Sequence, residues 1–257
     1  MKISRENLAE IKNWFTDYVD SFKKGDPAIQ DNIELKEDHT RRVCKEILEL
    51  GKSLGLTEEE LNLAEIIALL HDVGRFEQYA RYRTFKDSKS ENHAELAVKI
   101  IEEKEILKHL CNDTQDLIIY SIRYHNFPTL PEGERENLLF YSKLLRDADK
   151  LDIWKVVTDY YSRQDGKRNT ALELELPDSP GFSEEVAHDL KNKNSVLMKY
   201  VRNLNDFKLL QAGWVFDINF EPSLETVKQR RYLEKIREAL PESTEIDEIF
   251  EFIYNNI

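Results

Sequence analysis

Cysteine is nearly absent from this chain: there are two in 257 residues, Cys44 and Cys111, with no CxxC spacing. Such a pair does not build a disulfide framework. A reducing cytoplasm is therefore the expected location, with both thiols serving as small buried apolar groups. Glycine (8) and proline (7) are also scarce, and Leu, Glu, Lys and Ile dominate, a balance that favours helices. No apolar run approaches the ~20 residues of a membrane span, and the segment Met1–Glu6 lacks the apolar stretch of a signal peptide. Positive charge is in deficit, 37 Lys and Arg against 50 Asp and Glu, for a net −13. That balance argues against a general nucleic-acid binder, which holds phosphate backbones through excess Lys and Arg. A small anion remains a candidate ligand if cations or a metal are concentrated in one pocket.

Helical periodicity fills most of the chain. Residues 4–23 carry Leu8, Ile11, Trp14, Phe15, Val19 and Phe22 on one side, and the segment from Lys23 to Gln30 breaks that helix. A second helix is expected from about Ile33 to Gly51, with His39, Val43, Ile47 and Leu50 along one face. Thr57 followed by Glu60 is a capping box. It opens a helix whose Leu63, Ile66, Ile67 and Leu70 recur at i, i+3, i+4 and i+7. That stripe ends in His71-Asp72-Val73-Gly74-Arg75, where Gly74 is expected to supply the positive φ of a helix end. By itself, a His-Asp pair at such a place serves equally well as a simple helix cap.

Arg75 to Glu91 reads as a long connection holding Arg75, Arg81, Arg83 and Lys86, which is either a solvated charged loop or an anion-binding lid. Its aromatic residues Phe76, Tyr79, Tyr82 and Phe85 are read equally as packing residues or as stacking partners for a base. Asn92 caps a helix with His93 aligned to Leu96, Ala97, Ile100 and Ile101. Residues 113–125 form another, ending at His125. A helix from about Asn137 to Arg163 contains Arg146-Asp147-Ala148-Asp149-Lys150-Leu151-Asp152. Within it, Leu145 and Ile153 flank Asp149 at four residues on either side, so Asp149 faces inward. Asp147, between Lys143 and Lys150, is expected on the solvated side. The stretch from Gln164 to Phe182 lacks helical period, and Leu172, Leu174 and Leu176 alternate as in a short strand or extended flap. Helices are expected again over 184–190, 195–216, 223–240 and 244–255, for roughly ten in all and an all-α fold.

Four histidines (His39, His71, His93, His125) and two acids (Asp72, Asp149) thus fall on core faces or ends of different helices. Six separate buried polar partners would be needed to satisfy them singly, whereas a shared metal satisfies them together. Mixed imidazole and carboxylate donors suit Mn, Fe, Co, Ni or Zn, with Mg admissible, and six of them can hold one or two ions. His109 and His188 lie in charged contexts and are read as surface residues.

His39-Thr40-Arg41-Arg42-Val43, His71-Asp72-Val73-Gly74-Arg75 and Asp147-Ala148-Asp149-Lys150-Leu151-Asp152 together resemble the HD superfamily of metal-dependent phosphohydrolases. The resemblance implies an HD-domain-like helical bundle with N- and C-terminal helical extensions. Residues 1–257 would form one domain, with a metal-binding core over 34–160 and helical flanks at 1–33 and 165–257. It implies His39, His71, Asp72 and Asp149 as primary metal ligands, with His93 and His125 completing a two-metal set. It further implies hydrolysis of a small phosphorylated metabolite, such as a nucleotide, by a metal-activated water attacking phosphorus. Asp72, Lys150 and Arg75 would act catalytically, and Lys150, Arg81 and Arg83 would neutralise substrate phosphate. Neither a nucleic-acid polymer nor a membrane is expected as a partner, and a homodimer is allowed. Two rival readings stand beside this one: a di-iron oxygenase on the same fold, and a non-catalytic nucleotide sensor whose helices over 195–257 bind a partner.

Overall fold

A computed structural model describes residues 3–23, 27–163, 168–170 and 172–257, and the described residues are helical without any strand. The chain divides into two compact units, Met1–Asp152 and Ile153–Ile257. No helix among the described residues is long and apolar enough to cross a membrane.

In the first unit the helices are α1 (Arg5–Phe22), α2 (Pro27–Ser53), α3 (Glu58–Leu70), α4 (Val73–Tyr82), α5 (His93–Glu103) and α6 (Asn112–Tyr124). The helix α7 (Glu136–Tyr161) begins in this unit and continues past its boundary. Ser4 and Thr57 close capping boxes at α1 and α3, satisfying amide groups that a helix start leaves unpaired. The α3 helix is apolar on nearly every side, and Leu63, Ile66, Ile67 and Leu70 are essentially inaccessible. A helix of that composition has to be enclosed, and α1, α2 and α6 all pack on it. Each such side chain contributes about 1.5–3 kcal/mol of burial. Phe15, Tyr18 and Phe22 of α1 meet Phe76 of α4 ring to ring, with centroids 5.9, 6.3 and 6.3 Å away.

Several boundaries differ from the sequence expectation, each for a local reason. The α2 helix starts at Pro27 rather than near Ile33, since the first turn of a helix tolerates a missing amide hydrogen. It also runs past Gly51 to Ser53, and the left-handed residue that follows is Gly55. The region after Arg75 is not a long loop: α4 reaches Tyr82, and only residues 83–92 connect it to α5. Gly74 sits inside α4, outside the left-handed region. What requires glycine there is close approach, because a Cβ would lie 2.2 Å from the His93 carbonyl oxygen and 2.7 Å from the Ala97 nitrogen. Asp147 is fully buried, not solvated. From Leu144 to Asp152 every α7 residue except Asp149 is buried, so charged neighbours at i±3 and i±4 did not mark an outer face at Asp147. Cys111 is exposed just before α6, and of the two thiols only Cys44 is the buried apolar group expected.

The second unit contains α8 (Glu184–Lys191), α9 (Leu204–Gly213), α10 (Glu221–Gln229), α11 (Tyr232–Glu238) and α12 (Thr244–Tyr254). The helix expected over 195–216 is a 3₁₀ turn at Met198–Tyr200, then α9, then a second 3₁₀ turn. The one expected over 223–240 is split by Arg231 in a left-handed conformation. Residues 172–175 form turns rather than a strand, with Leu174 and Glu175 at φ 49° and 54°; residues 164–167 and 171 of that stretch lie outside the described residues. Trp154 is buried against Trp214 and Tyr232, and its indole donates to the Gln211 carbonyl at 2.9 Å.

Candidate metal centre

Four imidazoles are oriented the same way, two by backbone carbonyls and two by carboxylates. His71 and His125 sit at the C-terminal ends of α3 and α6, where carbonyl groups lack intrahelical partners. Each donates Nδ1–H to the carbonyl three residues back, Ala68 and Ile122, at 2.7 Å. His39, in the middle of α2, presents Nδ1 to Asp152 Oδ2 at 2.7 Å. His93, at the start of α5, presents Nδ1 to Asp87 Oδ2 at 2.7 Å. All four partners accept only, so the proton of a neutral ring is on Nδ1 and the lone pair is on Nε2.

The four Nε2 atoms converge on two carboxylates. His39 Nε2 lies 3.2 Å from Asp149 Oδ1 and 3.6 Å from Asp72 Oδ2. His71 Nε2 is 3.8 Å from each of those same oxygens. The other oxygen of Asp72, Oδ1, is 3.6 Å from His93 Nε2, which in turn faces His125 Nε2 at 3.1 Å. Among the described residues, His71 Nε2 and Asp149 Oδ1 are buried without a hydrogen-bond partner. Lone pairs and carboxylates gathered in one buried space repel one another unless a cation lies among them. The donor set therefore fits a metal. Three overlapping groups have one ligand atom per residue within 4.8 Å of each other: His39, His71 and Asp72; His71, His125 and Asp149; Asp72, His93 and His125. Asp72 belongs to two of them through opposite oxygens, an arrangement able to serve two ions.

Electrostatics agree with this geometry. Burial pushes the Asp72 carboxyl up, but Lys36, His71, Arg75 and His93 together hold it well below the usual carboxylate range. Asp149 is held low in the same way by His39, His71 and His125 against the effect of burial. Burial, reinforced by His93 and His71, brings His125 down to about 3, and burial also lowers His71 and His93. Those three rings are neutral ligands at neutral pH. His39 goes the other way: burial and Lys36 lower it, but the neighbouring carboxylates of Asp149 and Asp152 outweigh them.

A second layer fixes the donors. Arg42 grips Asp152 through Nε at 2.6 Å and a terminal nitrogen at 3.1 Å, aiming the carboxylate that orients His39. Arg146 donates to the carbonyls of His125, Phe127 and Pro128, securing the chain where it leaves α6. Arg75 donates to Gln78, to the Phe85 carbonyl and to Asp87, all within 2.9 Å. A second guanidinium nitrogen of Arg75 lies 3.3 Å from His93 Nε2. Lys36 donates to Asp72 Oδ2 at 2.9 Å.

The structure thus gathers His39, His71, Asp72, His93, His125 and Asp149, and sets Arg75 at their edge. Lys150 is buried on α7 next to Asp149 in sequence. Arg81 pairs instead with Glu77 and Glu91, and Arg83 is exposed in a left-handed turn ending α4. His109 and His188 are largely exposed, as expected. Phe76 is a packing residue, while Phe85 rests on Tyr79 at 4.7 Å. Sequence reasoning assigned no role to Lys36, Arg42, Asp87 or Asp152. Three of these follow a readable rule: Lys36 precedes and Arg42 follows His39 by three residues, Asp152 follows Asp149 by three, and such neighbours share a helix face. Asp87 lies in a connection where no periodicity points to it.

Residues 37–154 match the family model of the HD domain. The matched segment carries all six gathered donors. Comparison with curated proteins and comparison with solved structures found no match.

Proposed function

We propose that the chain is a metal-dependent phosphohydrolase acting on a small phosphorylated metabolite of the nucleotide class. The observation that carries the reading is the convergence of four Nε2 lone pairs on Asp72 and Asp149, with all four Nδ1 protons turned outward. His39, His71, Asp72, His93, His125 and Asp149 would hold one or two divalent ions, Mn, Fe, Co, Ni or Zn fitting this donor set better than Mg. Bound there, a divalent ion supplies Lewis acidity toward a phosphoryl oxygen and acidifies nearby water.

The chain's own groups supply position and charge. Asp152 and Asp87 hold the rings of His39 and His93. Arg75 ties Asp87 and the backbone of Phe85 in place and keeps positive charge 3.5 Å from Asp72 Oδ1. Lys150 is assigned to the substrate phosphate, and Arg81 and Arg83 to the outer charge of a longer phosphate chain. Net charge of −13 around a site that a bound divalent ion would make locally positive favours a small anion over a nucleic-acid polymer. A cytoplasmic enzyme without a membrane partner is the consistent setting, and a homodimer remains compatible with it.

The test is metal content of the isolated protein, followed by phosphate release from nucleotides and sugar phosphates with added Mn, Co, Ni, Fe or Mg. Release that disappears in Asp72→Ala supports the reading. Full release in a His71→Ala, Asp72→Ala double variant overturns it. The count of four histidines and two aspartates equally favours a di-iron oxygenase, and two irons per chain with substrate-dependent oxygen uptake but no phosphate release would select that reading.

A further inference from the structure

Lys36, Arg42 and Arg75 contact the donors or the carboxylates that orient them, and they are not equally committed. Arg42 is held by both oxygens of Asp152. Arg75 is held by Gln78, the Phe85 carbonyl and Asp87. Lys36 makes one hydrogen bond, 2.9 Å to Asp72 Oδ2, and its ammonium lies 5.5 Å from the centre of the Phe85 ring. Its side chain keeps 20% of its surface exposed, against 4% for Asp72, so it reaches the donors from the solvent side.

The oxygen that Lys36 occupies is the one that His39 and His71 face at 3.6 and 3.8 Å. An ion ligated by His39, His71 and Asp72 would use that same oxygen. An ammonium and a divalent ion a few ångströms apart at a partly buried site repel strongly, so the ammonium has to change partner once the site is filled. Local charge says what the new partner is. With the histidines neutral, as ligation requires, the carboxylates Asp72, Asp149, Asp87 and Asp152 are largely offset by Lys36, Arg75 and Arg42. A single divalent ion makes the local balance positive, and a second adds to the excess. A filled site therefore attracts an anion, and Lys36 is the cation with a flexible stem and one bond to exchange.

We propose that Lys36 is a substrate-binding residue, whose ammonium leaves Asp72 Oδ2 when metal binds and takes a phosphate oxygen instead. The inference rests on the phosphohydrolase reading and adds to it a residue just outside the segment that matches the HD domain. It also bears on the ring of Phe85: with Lys36 over it and Tyr79 against it, Phe85 positions the lysine rather than stacking on a base.

The experiment uses the full chain loaded with Mn²⁺, and the variants Lys36→Gln and Lys36→Arg. Manganese bound per chain is counted by mass spectrometry, and inorganic phosphate is titrated in by calorimetry. Lys36→Gln is expected to bind manganese at least as tightly as the parent, since a competing cation is gone. It should bind phosphate about 10- to 100-fold more weakly, the range for losing one hydrogen bond to a charged group. Lys36→Arg should restore much of that loss. Unchanged phosphate affinity in Lys36→Gln overturns the role of Lys36 while leaving the phosphohydrolase reading in place. Loss of manganese in Lys36→Gln also overturns it, by showing that the lysine supports the metal ligands. Absence of phosphate binding in the metal-loaded parent counts against the phosphohydrolase reading itself, and the inference falls with it.

Discussion

Asp149 in the first unit and Asp206 in the second are both acids on helices in helical surroundings, yet their oxygens are treated differently. Asp206 is fully buried and accepts from the Ser183 amide at 2.6 Å, the Ser183 hydroxyl at 2.8 Å and the Arg202 amide at 2.8 Å. Every donor comes from a neighbouring turn, and the group is closed. Asp149 Oδ1 has no hydrogen-bond donor among the described residues and faces imidazole nitrogens whose protons lie on their far sides. The same side chain is thus a structural clasp in one unit and an open ligand in the other. Asp149 Oδ1 is itself buried, so exposure of that atom does not separate the two cases. The direction of the surrounding protons does.

The largest effect should come from breaking the open site at its shared member. Asp72→Ala removes both oxygens that join the His39 and His93 sides. Metal affinity is expected to fall by more than about 100-fold, beyond the range for losing an outer partner of a ligand, as read by equilibrium dialysis. Next comes Gly74→Ala, which touches neither comparison residue but forces apart the backbones of α4 and α5 that bring Asp72 and His93 together. Its Cβ meets backbone, which cannot swing aside, so a destabilisation of about 3 kcal/mol is expected in denaturant unfolding, the upper end for overpacking. A variant as stable as the parent would show that the two helices can separate at little cost.

How much of this was legible beforehand depends on the same distinction. Periodicity located the helices and aligned His39, His93 and Asp149 with apolar stripes, and the ordered blocks around His39, His71-Asp72 and Asp149 pointed to one shared centre. It failed where an element is enclosed on nearly every side. Asp147 has lysines at helical spacing and is nevertheless inaccessible, because every α7 residue from Leu144 to Asp152 except Asp149 is buried. It failed again at Gly74, where the residue type is set by a carbonyl nineteen positions away in sequence. Lys36 and Asp152 could have been found from their i±3 spacing to ligands, but Asp87 depends on how the 83–92 connection folds back on His93. No local pattern records that.

Two smaller perturbations sharpen the contrast between closed and open acids. Asp206→Asn keeps the shape of the clasp but turns an NH₂ toward at least one of the three donors. About 2 kcal/mol of stability should be lost, from a broken bond and a donor left buried. Manganese bound per chain should not change, because Asp206 belongs to none of the three ligand groups.

Asp152→Asn is the counterpart inside the first unit, and the smallest change expected. Asp152 is closed like Asp206, accepting from Arg42 and His39, but what it closes upon is a ligand. The amide can still accept the His39 Nδ1 proton through its oxygen, while its NH₂ opposes the Arg42 guanidinium and loosens the grip on the ring. Metal affinity should therefore fall by about 10-fold, the low end for an outer partner, with little change in unfolding free energy at saturating metal. The pair of measurements separates two roles for a buried acid. Asp206→Asn should move stability without affinity, and Asp152→Asn affinity without stability. If both variants move stability alone, Asp152 is another clasp, and the orientation of His39 must come from the packing of α2 against α3.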